Sequence, residues 1–540
     1  MTESRAEPAV VRLSRRTLLR TGLVAGGAVG ASRLLWPPGR RGPLLSDAWL
    51  RAPNSLPYPT ELPGTANPAM PFDHIVVLMM ENHSFDNFLG DLSKTRSDVV
   101  GPFNSTGAPA GGWPSYSNGV YVNSDGNGNQ IEPYHMDTTC DPGGVDQSWD
   151  CTHGSMYWAY GSQPSSEYST GSYNPASFGW SQPLSQVPLR PRNMAGFVIA
   201  NGDVDPMGYW TAAEIPFTHS MAQAFTIANY WFCSAPCQTY PNRRFLMSGT
   251  AFGDISTDID TIFDPSNGAD AIAAPPPNGT IFDRLTAYDI SWANFFTDLP
   301  ATGIIPATIE KYPEHIQPVA NFFAACAAGT LPAVSFVDPE FGVVTEVGSG
   351  IASIPGIGSL AQVQDLNNFM QTVNGDEEPP ADVAYGEQFV AQVVNAVMHS
   401  PAWSRTLLVW TFDEHGGFAD HVPVPAAIPP DGILPDVGSG DFYGAYDVYG
   451  PRVATVVVSP YSKPGGVSNM VYDHTSVLAT IEHKWKLPAC TYRDANANTV
   501  MDFLQDTPEL LVPPVLAEPG PPLPGGLNCS SVLPAPVPSP

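Results

Sequence analysis

The segment TLLVWTFDEHGGFADHV (residues 406–422) joins an apolar run to a dense cluster of titratable side chains. The run at 406–412 is rich in β-branched and aromatic residues, which predicts a buried strand. A surface turn also collects Asp, Gly and His, so the segment alone leaves a purely structural role open. The titratable residues that follow the run are Asp413, Glu414, His415, Asp420 and His421.

Apolar runs of the same kind recur along the chain, separated by stretches with helical period. The runs are FDHIVVLMM (72–80), DISWANFFTDLP (289–300), LPAVSFVDPEF (331–341) and RVATVVVSPYS (452–462). The helical stretches are FTHSMAQAFTIANYWF (217–232), YGEQFVAQVVNAVMHS (385–400) and TSVLATIEHKW (475–485). Apolar strands that alternate with helices predict an α/β fold with a mostly parallel central sheet, helices on both faces and long loop insertions.

Oxygen-bearing side chains follow two of the predicted strands. Glu81 and Asn82 come directly after the first run, as Asp413 and Glu414 do after the strand of the opening segment. Because the carboxyl ends of parallel strands meet at one edge of a sheet, these side chains are expected to converge. Three carboxylates and one amide oxygen suit a hard divalent cation such as Ca²⁺, Mg²⁺ or Mn²⁺. A helix-capping role for Asn82 is the alternative.

A candidate nucleophile lies in CQTYPNRRFLMSGT (237–250). Proline is tolerated in a first helical turn, so Pro241 places Thr239 near a helix N-terminus. Free N–H groups and the helix dipole favour an anion such as phosphate there. A metal in contact with the hydroxyl would lower its pKa and allow it to attack phosphorus, while Arg243 neutralises phosphate oxygens. The alternative is an ordinary capping threonine.

The charge of the chain limits its partners. The 540 residues carry a formal net charge of −29, and the sequence pI is about 4.5. A phosphate backbone would be repelled, which argues against a nucleic-acid partner. An anionic substrate stays open, because a bound cation can reverse the local field.

The two ends of the chain differ in composition from its middle. SRRTLLRTGLVAGGAVGA (14–31) resembles a twin-arginine export signal, which predicts a signal and lead-in over 1–45 and a location in the periplasm, cell envelope or extracellular space. A basic disordered tail is the alternative. Residues 506–540 are rich in proline and are expected to form an extended tail.

Seven cysteines are an odd count, and export permits disulfides. Cys140 with Cys151, or Cys233 with Cys237, are the pairings that short spacing favours. The sequence does not decide between them.

Five blocks occur in the order seen in the bacterial phosphoesterase family, which the chain resembles over about residues 70–500. The blocks are FDHIVVLMMENHSFDNFLG (72–90), MGYWTAAEIPFTHSMAQAFTIANYWFCSAPCQTYPNRRFLMSGT (207–250), LPAVSFVDPEF (331–341), WSRTLLVWTFDEHGGFADHVPVP (403–425) and YDHTSVLATIEHKW (472–485). That family contains phosphatidylcholine-type phospholipases C and an acid phosphatase on an alkaline-phosphatase-like fold. The resemblance implies a catalytic domain over 70–505.

The resemblance also implies roles for individual residues. Thr239 matches the nucleophile and a further metal contact, and His474 is the best match for the proton donor to the leaving group. The implied metal ligands are Glu81, Asn82, Asp413 and Glu414. The histidines implied around the phosphate are His415, His421 and His474.

The chain departs from the family pattern at several positions. His83 replaces an arginine and Asn87 a histidine in the first block, while Gln147 and Glu378 each replace a histidine elsewhere. Loss of two imidazoles and gain of a carboxylate put phosphate affinity and substrate choice in doubt.

The expected function is a secreted, metal-dependent phosphoric-ester hydrolase of phospholipase C type with a phospho-threonine intermediate. The expected partners are a phospholipid or a small phosphate ester, with transient contact to a membrane surface through aromatic residues of 149–180 and no obligate protein partner. An acid phosphatase acting on small phosphomonoesters, and a catalytically lapsed secreted binding protein, are the alternatives.

Overall fold

The computed structural model describes residues 50–104, 116–140, 143, 145–157, 193–257, 275–341, 375–438, 441–442, 444–522 and 529. These residues belong to one contact-defined unit, Trp49–Gly171 with Arg190–Pro540. The export motif at 14–31 lies outside the described residues, as does most of the aromatic stretch at 149–180. The predictions made for both segments stay predictions.

Eight strands of the described chain form the central sheet. They are β1 (His74–Met80), β2 (Thr226–Ala228), β3 (Trp292–Phe296), β4 (Ile316–Pro318), β5 (Val334–Asp338), β6 (Thr406–Phe412), β7 (Thr455–Val458) and β8 (Val467–Ser468). Their order is β4-β3-β5-β1-β6-β7-β2-β8. Within this sheet β7 is antiparallel to both of its neighbours, and the other neighbouring pairs are parallel. The prediction of a mostly parallel α/β fold is confirmed.

Helices and short ladders complete the described structure. The α-helices are α1 (Phe85–Phe88), α2 (Trp149–Tyr157), α3 (Phe197–Asn201), α4 (Pro216–Ala224), α5 (Thr239–Ser248), α6 (Ile281–Ala287), α7 (Pro306–Lys311), α8 (Val319–Ala328), α9 (Val383–Met398), α10 (Thr475–Trp485) and α11 (Tyr492–Ala495). The 3₁₀ turns are Gly90–Lys94, Asp205–Met207, Ala301–Ile304, Pro313–His315, Trp403–Arg405 and Val500–Phe503. The two-stranded ladders pair Tyr116–Ser117 with Val120–Tyr121, Asn123–Ser124 with Gln130–Ile131, Tyr134–His135 with Gly208–Tyr209, and Trp231–Phe232 with Tyr472–Asp473. None of the helices in these described ranges is both long enough and apolar enough to cross a bilayer.

The middle of the sheet forms the core. Every residue of β6 is buried, which agrees with its unbroken run of mostly apolar side chains and its position inside the sheet. Helix α9 contributes Val390, Val394 and Val397, which are spaced along one helical face and fully buried.

The register of β1 and β6 brings two separated parts of the chain together. Met80 is paired with Phe412 in this parallel ladder. The next residues, Glu81 and Asp413, therefore leave neighbouring strands at the same level of the carboxyl edge. This edge positions the candidate site.

One predicted helix is only half correct. Residues 217–232 were expected to be helical throughout, but α4 ends at Ala224 and the chain then forms β2. Ile227 of β2 is paired with Val456 of β7, so sheet pairing overrides the helical period in this β-branched stretch.

The disulfide pairing expected from short spacing is wrong. Cys140 is bonded to Cys529, 389 residues away, while Cys151, Cys233 and Cys237 are buried free thiols. Sequence spacing cannot find such a pair, because the fold alone brings the two cysteines together.

The described part of the Pro-rich C-terminal stretch makes hydrogen bonds to the rest of the unit, and the prediction of a separate extended tail stays a prediction. The Leu510 N–H donates to the carbonyl oxygen of Pro460 at 3.1 Å. Farther along, the Gly520 N–H donates to Glu387 Oε2 at 3.4 Å. Leu510, Gly520 and Cys529 are therefore each bonded to residues elsewhere in the same unit.

Candidate active site

At the carboxyl edge of the sheet, the carboxylate of Asp413 accepts backbone hydrogen bonds from the turns that follow β1 and β6. Asp413 Oδ1 accepts the N–H of Asn82 at 3.2 Å and the N–H of Glu414 at 2.7 Å. Asn82 has a φ of +71°, a left-handed conformation that asparagine tolerates better than most residues. The turn after β1 is thus tied directly to the turn after β6.

The second of these turns requires a glycine. Gly416 has a φ of +64°, and a Cβ added there would lie 1.9 Å from the carbonyl oxygen of Asn82. Because glycine lacks that atom, the loop after β6 can lie against the loop after β1. Gly416 is therefore required for the close contact between the two loops that carry the predicted ligands.

Thr239 is the first residue of α5, at the end of the helix where N–H groups are free. Its hydroxyl donates to Asn82 Oδ1 at 3.3 Å. Asn242 fixes the turn that precedes the helix, because its amide donates to the carbonyl of Cys237 at 2.8 Å and its Oδ1 accepts the N–H of Ala235 at 3.0 Å. The positions of Thr239 and Asn82 agree with the prediction that they share one site.

Arg243, one turn farther along α5, is held between carboxylates. Its Nη2 lies 3.0 Å from Glu81 Oε1, and its Nε lies 3.0 Å from Asp413 Oδ2. Burial lowers the pKa of the guanidinium, but Asp413 and Glu81 outweigh that effect and raise the pKa above its usual value. Arg243 therefore supports the site residues, and its predicted contact with substrate phosphate stays a prediction.

The buried carboxylates at this edge share one positively charged side chain, that of Arg243. Burial raises the pKa values of Glu81 and Glu414 well above their usual range, and it raises the pKa of Asp413 as well. Glu414 Oε1 is buried and has no hydrogen-bond partner among the described residues. Buried carboxylates with one shared guanidinium and an unpaired oxygen form a donor set that fits a hard divalent cation.

His474 is occupied at both ring nitrogens. Its Nε2 donates to the carbonyl oxygen of Asp413 at 2.5 Å, and its Nδ1 accepts from the indole N–H of Trp231 at 3.4 Å. This tautomer is required because a carbonyl only accepts and an indole N–H only donates. Burial lowers the pKa of His474 to about 3. The histidine is well placed to position Asp413, and its predicted role as proton donor to the leaving group stays a prediction.

The other two predicted histidines have different surroundings. His415 Nδ1 lies 3.2 Å from Glu414 Oε2, and burial lowers the pKa of this imidazole to about 3. His421 Nδ1 instead bonds Asp86 Oδ2 at 2.6 Å, and Arg452 joins Asp86 in the same buried group at 2.9 Å. His415 thus adjoins the predicted ligands, whereas His421 belongs to an ion-pair group built on α1.

The first departures from the family pattern are explained by a compensating pair. His83 Nδ1 and Asn87 Oδ1 are 2.9 Å apart, and His83 Nε2 lies 2.9 Å from the carbonyl oxygen of Glu377. The two replacements therefore bond each other and support the loop at 377.

Two acidic residues near the site were not predicted as ligands. Asp376 accepts the backbone N–H of Glu81 at 2.9 Å through its carbonyl oxygen. Glu378 lies close enough to Asp413 for the two charges to interact, and burial together with that interaction raises its pKa to about 7. The run Asp-Glu-Glu at 376–378 was the available signal, but it follows no apolar strand and so did not stand out.

The α/β fold and the buried carboxylates at the carboxyl edge of its sheet are typical of proteins that bind a ligand beyond the strand ends. The identification rests on the comparisons with known proteins together with the geometry described above. The chain belongs to the phosphoesterase family, whose model matches residues 72–488. This confirms the family predicted from the five sequence blocks.

Curated relatives agree with that assignment. Non-specific phospholipase C6 of Arabidopsis thaliana is 28% identical over 467 residues, covering 84% of this chain and 76% of the relative. Phospholipase C B of Mycobacterium tuberculosis is 28% identical over 462 residues, covering 78% and 75%. Among solved structures, an alkaline phosphatase superfamily protein from Vibrio parahaemolyticus matches with 10% identity over 57% of this chain and 68% of that one, at a TM-score of 0.29, which is too low to support an argument.

Proposed function

We propose that this chain is a divalent-metal-dependent phosphoric-ester hydrolase of phospholipase C type, exported by the twin-arginine route, with Thr239 as its nucleophile. The observation that carries the proposal is the contact between the Thr239 hydroxyl and Asn82, at an edge where Asp413 and Glu81 converge. The names of the curated relatives, phospholipases C from a plant and from a bacterium, support a phospholipid substrate. The export proposal rests on the sequence at 14–31.

The metal would be held by Glu81, Asn82, Asp413 and Glu414, with the Thr239 hydroxyl as a further contact. When bound, a divalent cation lowers the pKa of a coordinated hydroxyl and withdraws charge from a phosphoryl oxygen. The residues fit this purpose because their oxygens are hard donors and because Glu414 Oε1 lacks another partner in the described structure.

The chain's own residues supply positioning and the nucleophile. Thr239 Oγ1 gives up its proton to solvent and forms a bond to phosphorus, while the bond from phosphorus to the leaving alcohol oxygen breaks and that oxygen takes up a proton from water. Water then attacks the phospho-threonine, which releases the phosphorylated head group and restores the hydroxyl. The N-terminal N–H groups of α5 and their dipole favour the phosphoryl anion at this position. Arg243 keeps Glu81 and Asp413 in place throughout.

A phosphomonoesterase is the second candidate, because Thr239 is only 3% exposed and a closed site suits a small substrate. The test compares a chromogenic phosphocholine ester with a simple chromogenic phosphate monoester, each with and without a chelator. Chelator-sensitive cleavage of the phosphocholine ester supports the proposal. Cleavage of the monoester alone favours the second candidate, and cleavage of neither ester contradicts both.

The nucleophile is tested with Thr239→Ala beside Thr95→Ala, a substitution at an exposed threonine. We expect Thr239→Ala to lower kcat by about 10³-fold or more while its circular dichroism and melting temperature stay those of the wild type. Thr95→Ala keeps full activity. An active, folded Thr239→Ala variant would refute the assignment.

A further inference from the structure

A second group of carboxylates lies beside the candidate active site. One oxygen atom from each of Glu81, Asp376 and Glu378 lies within 4.8 Å of the other two. Oxygen ligands bind Ca²⁺ at about 2.4 Å, so two ligands on opposite sides of the ion are about 5 Å apart. The spacing of these three oxygens therefore suits a single shared hard cation.

Asp376 has an oxygen that no protein group satisfies. Its Oδ1 accepts the N–H of Glu378 at 2.9 Å, but its Oδ2 is buried without a hydrogen-bond partner in the described structure. The residue is fully buried. A buried carboxylate oxygen without a partner is costly, so this atom points to a ligand and not to a structural contact.

Negative charge predominates around this group among the described residues. The guanidinium that contacts Glu81 belongs to Arg243, and the same guanidinium also pairs with Asp413. Asp298 adds a further negative charge close enough to raise the pKa of Asp376. One guanidinium therefore serves two carboxylates, and Asp376 lies among further negative charges.

Glu378 provides the solvent side of the group. It is partly exposed to solvent, whereas Asp376 and Glu81 are buried. The chain carries this carboxylate where the family pattern has a histidine. The replacement exchanges a neutral imidazole for a charged oxygen donor, which favours a hard cation.

We propose that Glu81, Asp376 and Glu378 bind a second hard divalent cation, and that Glu81 is shared between this ion and the one at Asp413. The inference rests on the proposed function, because it treats Glu81 as a ligand of the catalytic metal. The second ion neutralises negative charge at the 376–378 turn and gives Glu81 a contact in addition to Arg243.

The test counts Mn²⁺ ions on the full-length protein. Chelated and desalted protein is dialysed against Mn²⁺, and the bound metal per chain is measured by plasma mass spectrometry. Electron paramagnetic resonance then reports whether the bound ions are magnetically coupled, as two ions sharing one carboxylate should be. The variants are Asp376→Asn and Glu378→Gln, with Glu377→Gln as the matched control. Glu377 is a buried neighbour whose carboxylate faces Glu387 and Gly386.

We expect two coupled Mn²⁺ ions per chain in the wild type and in Glu377→Gln, and one uncoupled ion in Asp376→Asn and Glu378→Gln. A wild type that cleaves the phosphocholine ester with one bound ion would overturn the second site and leave the proposed function standing. Unchanged binding of two ions in both folded variants would also overturn it. A wild type that binds no Mn²⁺ and cleaves neither ester would overturn the second site and the proposed function together.

Discussion

Replacement of Arg243 by methionine tests how the site is held together. The side chain is 3% exposed, and its guanidinium is 3.0 Å from Glu81 and 3.0 Å from Asp413. Methionine keeps much of the length and removes the charge. Two buried carboxylates then lose their common partner, which is the costly way to break a buried ion pair.

The expected loss of stability follows from that geometry. Removing one partner of a buried ion pair costs about 3–5 kcal/mol, and here one guanidinium serves two carboxylates. At about 2 °C per kcal/mol, a chain of this size should melt about 6–10 °C lower in the presence of a chelator. A saturating divalent cation should recover part of this loss, because its charge replaces the guanidinium beside the same oxygens.

The assay is differential scanning fluorimetry of the wild type and the variant, with chelator and with Mn²⁺. Arg405→Met is the matched control, because Arg405 pairs with Asp73 at 2.9 Å on the surface, where both side chains are about half exposed. Such exposed pairs contribute about 0–1 kcal/mol. The reasoning is wrong if Arg243→Met in chelator melts at the same temperature as Arg405→Met.

Three further predictions concern the loops, the disulfide and the metal ligands. Gly416→Ala should destabilise the protein by about 2–4 kcal/mol, because the added Cβ would lie 1.9 Å from the carbonyl oxygen of Asn82. Its control in the same melting assay is Gly154→Ala, which should be nearly neutral because the added Cβ would lie at an ordinary 3.5 Å from Ala200. Cys529→Ser should cost about 2–5 kcal/mol through loss of the bond to Cys140, and a reductant should lower the melting temperature of the wild type but not of this variant. Chelation should abolish ester cleavage and lower the melting temperature, and Mn²⁺ should restore both; full activity after exhaustive chelation, confirmed by metal analysis, would contradict the donor set.

The strands and the edge of the sheet could be predicted because their signals are local. The run at 406–412 matches β6 residue for residue, and TSVLATIEHKW matches α10 over 475–485. Buried parallel strands need unbroken apolar runs, and ligands collect where such strands end. Glu81 and Asp413 therefore stood out in the sequence, and the paired register of β1 and β6 brings them together.

Other features depend on contacts that the sequence does not contain locally. The helical period at 217–232 predicted a longer helix, but pairing with β7 converts its second half into strand. The bond between Cys140 and Cys529 links residues whose spacing carries no signal.

The roles of single side chains were the hardest to predict. A histidine near a site can donate a proton to the substrate or form hydrogen bonds that position neighbouring residues. In this structure His474 is hydrogen-bonded to the carbonyl oxygen of Asp413 and to the indole N–H of Trp231. Arg243 shows the same ambiguity, because a guanidinium binds phosphate and carboxylate equally well in principle. Only the positions of Glu81 and Asp413 show which anions it meets.

The most direct test of the central claim is to trap the phosphoryl group on the chain. The wild type is mixed with excess phosphocholine ester in Mn²⁺, quenched in acid at short times, digested, and searched by tandem mass spectrometry for phosphorylated peptides. Thr239→Ala serves as the control for background phosphorylation. The account predicts phosphate on Thr239 in the wild type, appearing within the first turnover and absent from untreated protein. Steady turnover with an unmodified Thr239, or with phosphate on another residue, would contradict it.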